Sequence, residues 1–450
     1  MTDGHASLPG RAPAPVPAGW LPAALAAVRA DRVVAIARGL IDAHSPTGSE
    51  RPAAEALQAL LAEGNVAATL DPFASRRANL LAGVGGGAGP HLLLCGHLDT
   101  TGYGDERDRG WLHELTPSDL PISRLEDGVV SGLGAYNMKG GVAAAAEALL
   151  ALAAVAPRLA GRVSLAAVAG ESEKAPVRGL VRDYAGQDYE GGGVGAERLL
   201  EAGSPLAAAG ARPDGVVICE PSGLAVVNAQ PGYVAVRIRI LGRAGYLPAP
   251  GTPTVVTALA GAVDAIGAWG RTFAERAALD CGLGTLRPTC TIGAVESGAP
   301  FKPGGTPSVG ALYVDVRIPP GVDADPVVDE LVAAARVAAR GSFTVDAEVV
   351  ARNLPGVMIP AGHPLVVAAQ AARSAVLGRP AEAAPDWDFV PGDDGKVFAR
   401  HGIPYVKVGP GSPTTRDARF GREQVRADEL EQAARLYVEL AARVLSGSRG

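Results

Sequence analysis

The feature that most limits how this chain can fold is a change of rhythm at Pro231. Before it, short apolar runs alternate with helical periodicity. Strands are expected at 66–70, 79–84, 91–95, 162–169 and 215–219, and helices at 21–44, 51–63, 138–155 and 194–202. The run Leu92-Leu93-Leu94-Cys95 is apolar without alternation, the mark of a strand covered on both faces. Such a series predicts a largely parallel sheet between layers of helices. From residue 233 the order becomes strand 233–241, helix 252–269, strands near 288–295 and at 310–317, helix 326–340 and strand 342–350. That is the β-α-β-β-α-β order of a ferredoxin-like unit. From Pro364 the first pattern resumes, with helices 364–377, 395–400 and 427–445 and a strand at 404–408. The expected fold is α/β: a central mixed, mostly parallel sheet flanked by helices, interrupted by a ferredoxin-like α+β insert. Residues 21–230 and 351–450 would form the α/β domain and 231–350 the insert, behind a disordered extension over 1–20.

Composition removes several classes of function. With 41 Lys+Arg against 47 Asp+Glu, the net charge is -6, and no cationic surplus exists to neutralise phosphates. Nucleic acid is not an expected partner. The longest apolar stretch, 140–156, is Ala-rich and interrupted by Glu147, short of the roughly 20 strongly apolar residues that span a bilayer. No membrane association is expected. The first 20 residues are rich in Pro, Ala and Gly and carry Asp3 where a leader has basic residues. Four scattered cysteines (Cys95, Cys219, Cys281, Cys290) make no disulfide framework. A cytoplasmic protein is the expectation.

Ligands of open α/β sheets gather at the C-terminal ends of strands. Here several such positions carry polar side chains. Strand 91–95 runs into Gly96-His97-Leu98-Asp99, an imidazole followed two residues later by a carboxylate that could orient it toward a metal. Asn137 and Lys139 precede an Ala-rich helix, Glu171-Ser172-Glu173 follow strand 162–169, and Glu220 follows strand 215–219. Each segment alone says little; four converging on one sheet edge make a candidate site. Cys95 and Cys219 read as small core residues and Lys139 as helix and loop packing. The segment 173–191 forms either part of a substrate wall or a solvated loop.

In these segments, in this order, the chain resembles the di-zinc amidohydrolases and peptidases that include acetylornithine deacetylase, succinyl-diaminopimelate desuccinylase, aminoacylase and the bacterial glutamate carboxypeptidases. The resemblance covers about residues 30 to 446. It is supported by Val316-Arg317 ahead of Pro319-Pro320, by Asp394 eight residues before Gly402-Ile-Pro404, and by Gly409-Pro-Gly411. It implies hydrolysis of a small N-acyl amino acid or dipeptide-like amide, and a homodimer formed through the inserted domain. It also implies that His97 is a metal ligand, Asp99 its orienting acid, Glu171 the general base and Glu220 a carboxylate ligand.

The chain departs from that pattern at four places. Asn137 stands where the family has a bridging Asp, and Ser172 where it has a Glu for the second metal, unless Glu173 takes that place. Arg419 stands for the last ligand, a His, and Tyr246 for the His of the insert. No histidine follows His401 and none lies between 114 and 362, so no shift of register recovers either one. An uncharged amide bridges two dications poorly, and a guanidinium cannot ligate. The expected cofactor is therefore one weakly held Zn2+ at His97, Asn137 and Glu220, with Glu173 as a further candidate ligand, or no metal. Arg419 and Tyr246 are assigned to the substrate or its oxyanion, and Ser172, Lys174, Asp394 and Arg317 to substrate binding. Two other readings stay open. One is a metal-free enzyme that makes or rearranges an amide-like bond, with Glu171 as acid/base and Arg419 as a fixed cation. The other is a non-catalytic homologue that holds an amino-acid-like ligand.

Overall fold

The computed structural model describes residues 19–172, 191–210, 212–339, 341, 343–378, 391–411 and 422–446. Where periodicity predicts one helix over 21–44, there are two, Leu21–Ala27 (α1) and Ala30–Asp42 (α2). The cause lies more than a hundred residues away. Helix Arg51–Glu63 (α3) follows in sequence, and then Gly140–Ala153 (α4), which is buried along nearly its whole length and carries Glu147 in its middle. The Glu147 carboxylate accepts the Arg29 N–H at 2.7 Å and the Arg32 Nε–H at 2.6 Å. That one acid caps the start of α2 and holds Val28 and Arg29 extended.

Among the described residues, six strands build the main sheet: Ala68–Ala74 (β1), Arg77–Gly85 (β2), His91–His97 (β3), Arg162–Val168 (β4), Gly215–Ile218 (β5) and Tyr405–Lys407 (β6). Their order is β1-β2-β4-β3-β5-β6. The pairs β4/β3, β3/β5 and β5/β6 are parallel, and the two pairs at the β1 edge are antiparallel. All seven residues of β3 are buried, as its unbroken apolar run requires. Side chains alternate between two cores, with Leu92 and Leu94 on one face and Leu93 and Cys95 on the other. The first face is covered by α2, α4, Pro364–Leu377 (α5) and Ala427–Leu445 (α6), the second by the short helices Val194–Leu200 and Gly395–Arg400.

The insert has a core of its own. Its sheet runs in the spatial order Cys290–Ser297, Val309–Ile318, Gly232–Leu241, Thr344–Asn353, antiparallel throughout, which is the ferredoxin-like arrangement. Val234, Val236, Ile238 and Ile240 face helices Val255–Arg276 and Ala324–Ala338. On the opposite face Arg237 pairs with Glu348 and Arg239 with Asp346. Among the described residues, no helix is long and apolar enough to cross a membrane.

Glu147→Ala removes the cap of α2 and leaves the Arg29 N–H without its carboxylate. The variant is expected to lose about 2–3 kcal/mol of unfolding free energy in urea, with the slope unchanged. Unaltered stability would contradict the capping role.

Candidate active site

Because β3, β4 and β5 are parallel neighbours, the residues just beyond them meet at one edge of the sheet. They bring His97, Glu171 and Glu220 together, and Asn137 joins them from the turn that opens α4. Asp99 lies beneath and is fully buried. Its Oδ1 accepts the N–H groups of Gly170 and Glu171 at 3.0 Å each. Its Oδ2 accepts the Ser172 N–H at 2.9 Å and the Thr47 hydroxyl at 3.1 Å. Burial alone would push this carboxyl up; His97 and the Ser172 and Glu171 amides outweigh it and hold Asp99 well below the usual carboxylate range.

His97 has two unlike sides. Its Nδ1 lies 3.0 Å from the main-chain carbonyl of Asp99, which can only accept, so Nδ1 carries a proton. Its Nε2 lies 3.0 Å from Asn137 Oδ1, 3.1 Å from Glu220 Oε1 and 3.7 Å from Glu171 Oε2. Oxygens from three side chains thus converge on a nitrogen with at most one proton to offer. The second Glu220 oxygen is buried and has no hydrogen-bond partner among the described residues. A buried carboxylate left this way is costly unless a cation meets it. Ligand atoms of His97, Glu171 and Glu220 all fall within 4.8 Å of one another. One imidazole nitrogen and several carboxylate oxygens around a shared point make a donor set that fits a zinc-like dication.

The same crowding shows in the protonation of the groups. Burial disfavours a charged His97, yet Asp99 and Glu220 raise it well above its ordinary value. Burial also lifts Glu171 well above the carboxylate range, opposed by His97 and reinforced by Glu220 and Asp394. Asp394, buried at the edge of the cluster, is pushed up to about 8 by desolvation, with Asp99, Asp393 and Glu220 adding to it against His97. Among the described residues, the carboxyls of Asp99, Glu171, Glu220 and Asp394 all act on the single imidazole of His97.

The cleft above these groups has a volume of about 150 Å³ and is walled on the far side by the insert. There Arg317 and Lys396 lie 4.9 and 5.8 Å from the centre of the Tyr233 ring. Arg317 is aligned by two bonds to Asp315, at 2.8 and 3.0 Å. Gly392 leaves room for both cations, since a β-carbon there would lie 3.0 Å from Lys396 Nζ. The cleft is thus lined by carboxylates and, beside Tyr233, by Arg317 and Lys396.

Of the residues singled out from sequence, His97, Asp99, Asn137, Glu171 and Glu220 come together. Ser172, Asp394 and Arg317 line the same cleft. Glu173, Lys174 and Arg419 fall outside the described residues. Tyr246 is not among the described residues that line the cleft of a single chain: it is 65% exposed, with Lys302 over its ring. The strand Gly232–Leu241 begins beside the cleft at Tyr233 and climbs about 3.3 Å per residue. Tyr246 therefore lies beyond the far end of that strand, in a two-residue pairing with Gly305–Thr306. Lys139 packs as expected, its ammonium donating to the Ala43 carbonyl at 3.0 Å and lowered to about 7 by burial. Cys95 and Cys219 are buried, and burial pushes the Cys219 thiol up to about 12. Lys396 and Asn353 also line the cleft, and no local motif in the sequence marks either one.

The sequence profile of peptidase family M20/M25/M40 matches residues 93–443, and the chain belongs to that family. It is 30% identical over 237 residues to a succinyl-diaminopimelate desuccinylase of Rhodopseudomonas palustris strain HaA2, a match covering 50% of this chain and 56% of the relative. The chain thus spans about half the length of the curated relatives it matches. Among solved structures, human carnosine dipeptidase 1 superposes with a TM-score of 0.66 at 15% identity, over 96% of this chain and 100% of that one. The Bacillus subtilis YXEP protein, described as a dinuclear metal-binding M20 peptidase, gives 0.58 at 16% identity, over 92% and 98%. At these identities the two structures establish the shared fold.

A carboxyl raised in the folded state binds its proton more tightly there than in the unfolded chain. Its contribution to stability is present below the ordinary value and fades as pH rises toward the raised one. Asp394, Glu171 and His97 all act in this direction. Lys139 is protonated in both states below about 7. Chelator-treated protein is therefore expected to show a Tm that falls from about pH 5 to 7. Asp394→Asn should flatten that fall; a rising Tm, or an unchanged slope in the variant, contradicts the assignment.

Proposed function

We propose that the protein hydrolyses the amide bond of a small N-acyl amino acid or dipeptide-like substrate, with a single divalent cation held by His97, Asn137 and Glu220. The observation that carries this reading is the convergence of Asn137, Glu220 and Glu171 oxygens on His97 Nε2. A zinc ion bound there would supply a water acidified toward neutrality and a Lewis acid for the carbonyl. Two features favour one ion over two. Asn137 offers a neutral carbonyl oxygen where a pair of dications needs a bridging anion, and Ser172 offers a hydroxyl in place of a carboxylate.

Glu171 is the proton carrier in this scheme. Its side chain is 16% exposed at the cleft, close enough to the ligand set to reach the attacking water. It takes that water's proton and delivers it to the departing amine. Arg317 and Lys396 grip a carboxylate on the substrate, which sets the scissile bond over the carboxylates of the cleft. Arg419 is assigned to the developing oxyanion. The open sheet edge at Cys290–Ser297 is assigned to pairing of two copies. Light scattering should then give twice the chain mass of 45.4 kDa, and a monomer would refute that assignment.

Chelator-treated protein should hydrolyse N-succinyl and N-acetyl amino acids at a few per cent or less of the zinc-restored rate. Glu171→Gln should lower kcat about 10³-fold. Lys396→Met should raise KM roughly tenfold with kcat nearly unchanged. Full turnover by metal-free protein would overturn the scheme.

A further inference from the structure

We propose that the buried ion pair between Glu50 and Arg77, which contributes no ligand and does not line the cleft, positions Asp99 and through it His97. The inference rests on the reading of His97 as a metal ligand. Asp99 receives its hydrogen bonds from two separate loops. Thr47 comes from the loop that leads into α3, and the three main-chain N–H groups come from the loop that follows β4. Something must keep those loops in register, because a carboxylate is held only while all its donors arrive together.

Glu50 and Arg77 join the two. Glu50 precedes α3, and its Oε1 accepts the Gly48 N–H at 2.8 Å, which shapes the turn next to Thr47. The same carboxylate binds Arg77 twice, Oε1 to Nη2 at 2.9 Å and Oε2 to Nε at 3.1 Å. Arg77 opens β2, is 2% exposed, and lies directly beneath Gly170. Gly170 has φ +73, and a β-carbon there would overlap the guanidinium. The loop that carries Glu171 and donates to Asp99 therefore rests on a cation whose position Glu50 fixes.

A buried pair of this kind is a poor device for stability alone, since replacing both members by apolar groups of similar volume is often neutral. It is a good device for geometry: two parallel hydrogen bonds between planar groups allow little slip. If the loops drift, Asp99 loses donors, the carbonyl that receives the His97 Nδ1 proton shifts, and the ring is no longer aimed at Glu220 and Asn137. Glu50 and Arg77 are positioning residues for the ligand set.

The test uses the full chain with Glu50→Leu and Arg77→Met combined, which removes both members of the pair together. Three quantities are compared with the parent: Tm, cobalt(II) affinity followed by visible absorption, and amide hydrogen exchange. The expected result is a Tm within a few degrees of the parent and cobalt affinity about ten- to a hundredfold weaker. Exchange at Gly170, Glu171 and Ser172 should be at least about tenfold faster, with Leu92, Leu93 and Leu94 unchanged. Parent-like cobalt affinity together with parent-like exchange at those three amides overturns the proposal. Should the double variant fail to fold, Arg77→Lys, which keeps the charge but loses the planar fork, is expected to shift both readouts the same way, and no shift there overturns it equally. If the parent itself binds no cobalt, the metal reading fails, and the exchange of those three amides alone decides whether Glu50 and Arg77 hold the loops.

Discussion

Asp99 is the acid around which this molecule's chemistry is arranged. It lies two residues beyond the end of β3, fully buried, with four donors from two loops on its oxygens. A carboxylate satisfied in that way is fixed and keeps its charge at every ordinary pH. Glu220 presents the contrast, with one oxygen on His97 and the other buried with no partner among the described residues. Both are carboxylates at the end of a parallel sheet, but their surroundings divide their work. Asp99 is satisfied by protein donors, and Glu220 keeps one oxygen unmatched among the described residues.

The fold explains how such a site comes to exist. Three adjacent parallel strands bring His97, Glu171 and Glu220 to one edge without any side chain having to reach far. The insert then sets Arg317 and Asn353 across the gap, from the ends of antiparallel strands that meet the α/β domain there. The result is a cleft lined by carboxylates and, around Tyr233, by two cationic side chains, Arg317 and Lys396. That lining suits a substrate with a carbonyl to activate and an anion to anchor. It also explains why Asn137 is tolerable: with Glu171, Glu220 and Asp394 already crowded together, a further anion at that position would add repulsion.

Much of this could be read from the chain itself, for local reasons. The unbroken apolar run of β3 and the polar residues after it identify a covered strand and the end where the candidate site lies, and the order of elements after Pro231 identifies the insert. What could not be read depends on contacts between distant segments. The break at Val28 is made by Glu147, which periodicity within 21–44 cannot sense. Tyr246 was placed near the site by likeness of segment, whereas the direction of strand Gly232–Leu241 carries it away. Lys396, Glu50 and Arg77 belong to no motif in the sequence, and only folding shows that the first faces the cleft and the others face each other beneath Gly170.

The number of cations this cluster accepts is best counted in a crystal. Diffraction data collected on both sides of the zinc absorption edge, from protein grown with excess zinc, locate each ion independently of any assumed ligand. One anomalous peak is predicted, about 2.0–2.2 Å from His97 Nε2 and a Glu220 oxygen and facing the Asn137 carbonyl. Two peaks a few Å apart within the same cluster would contradict a single-ion site.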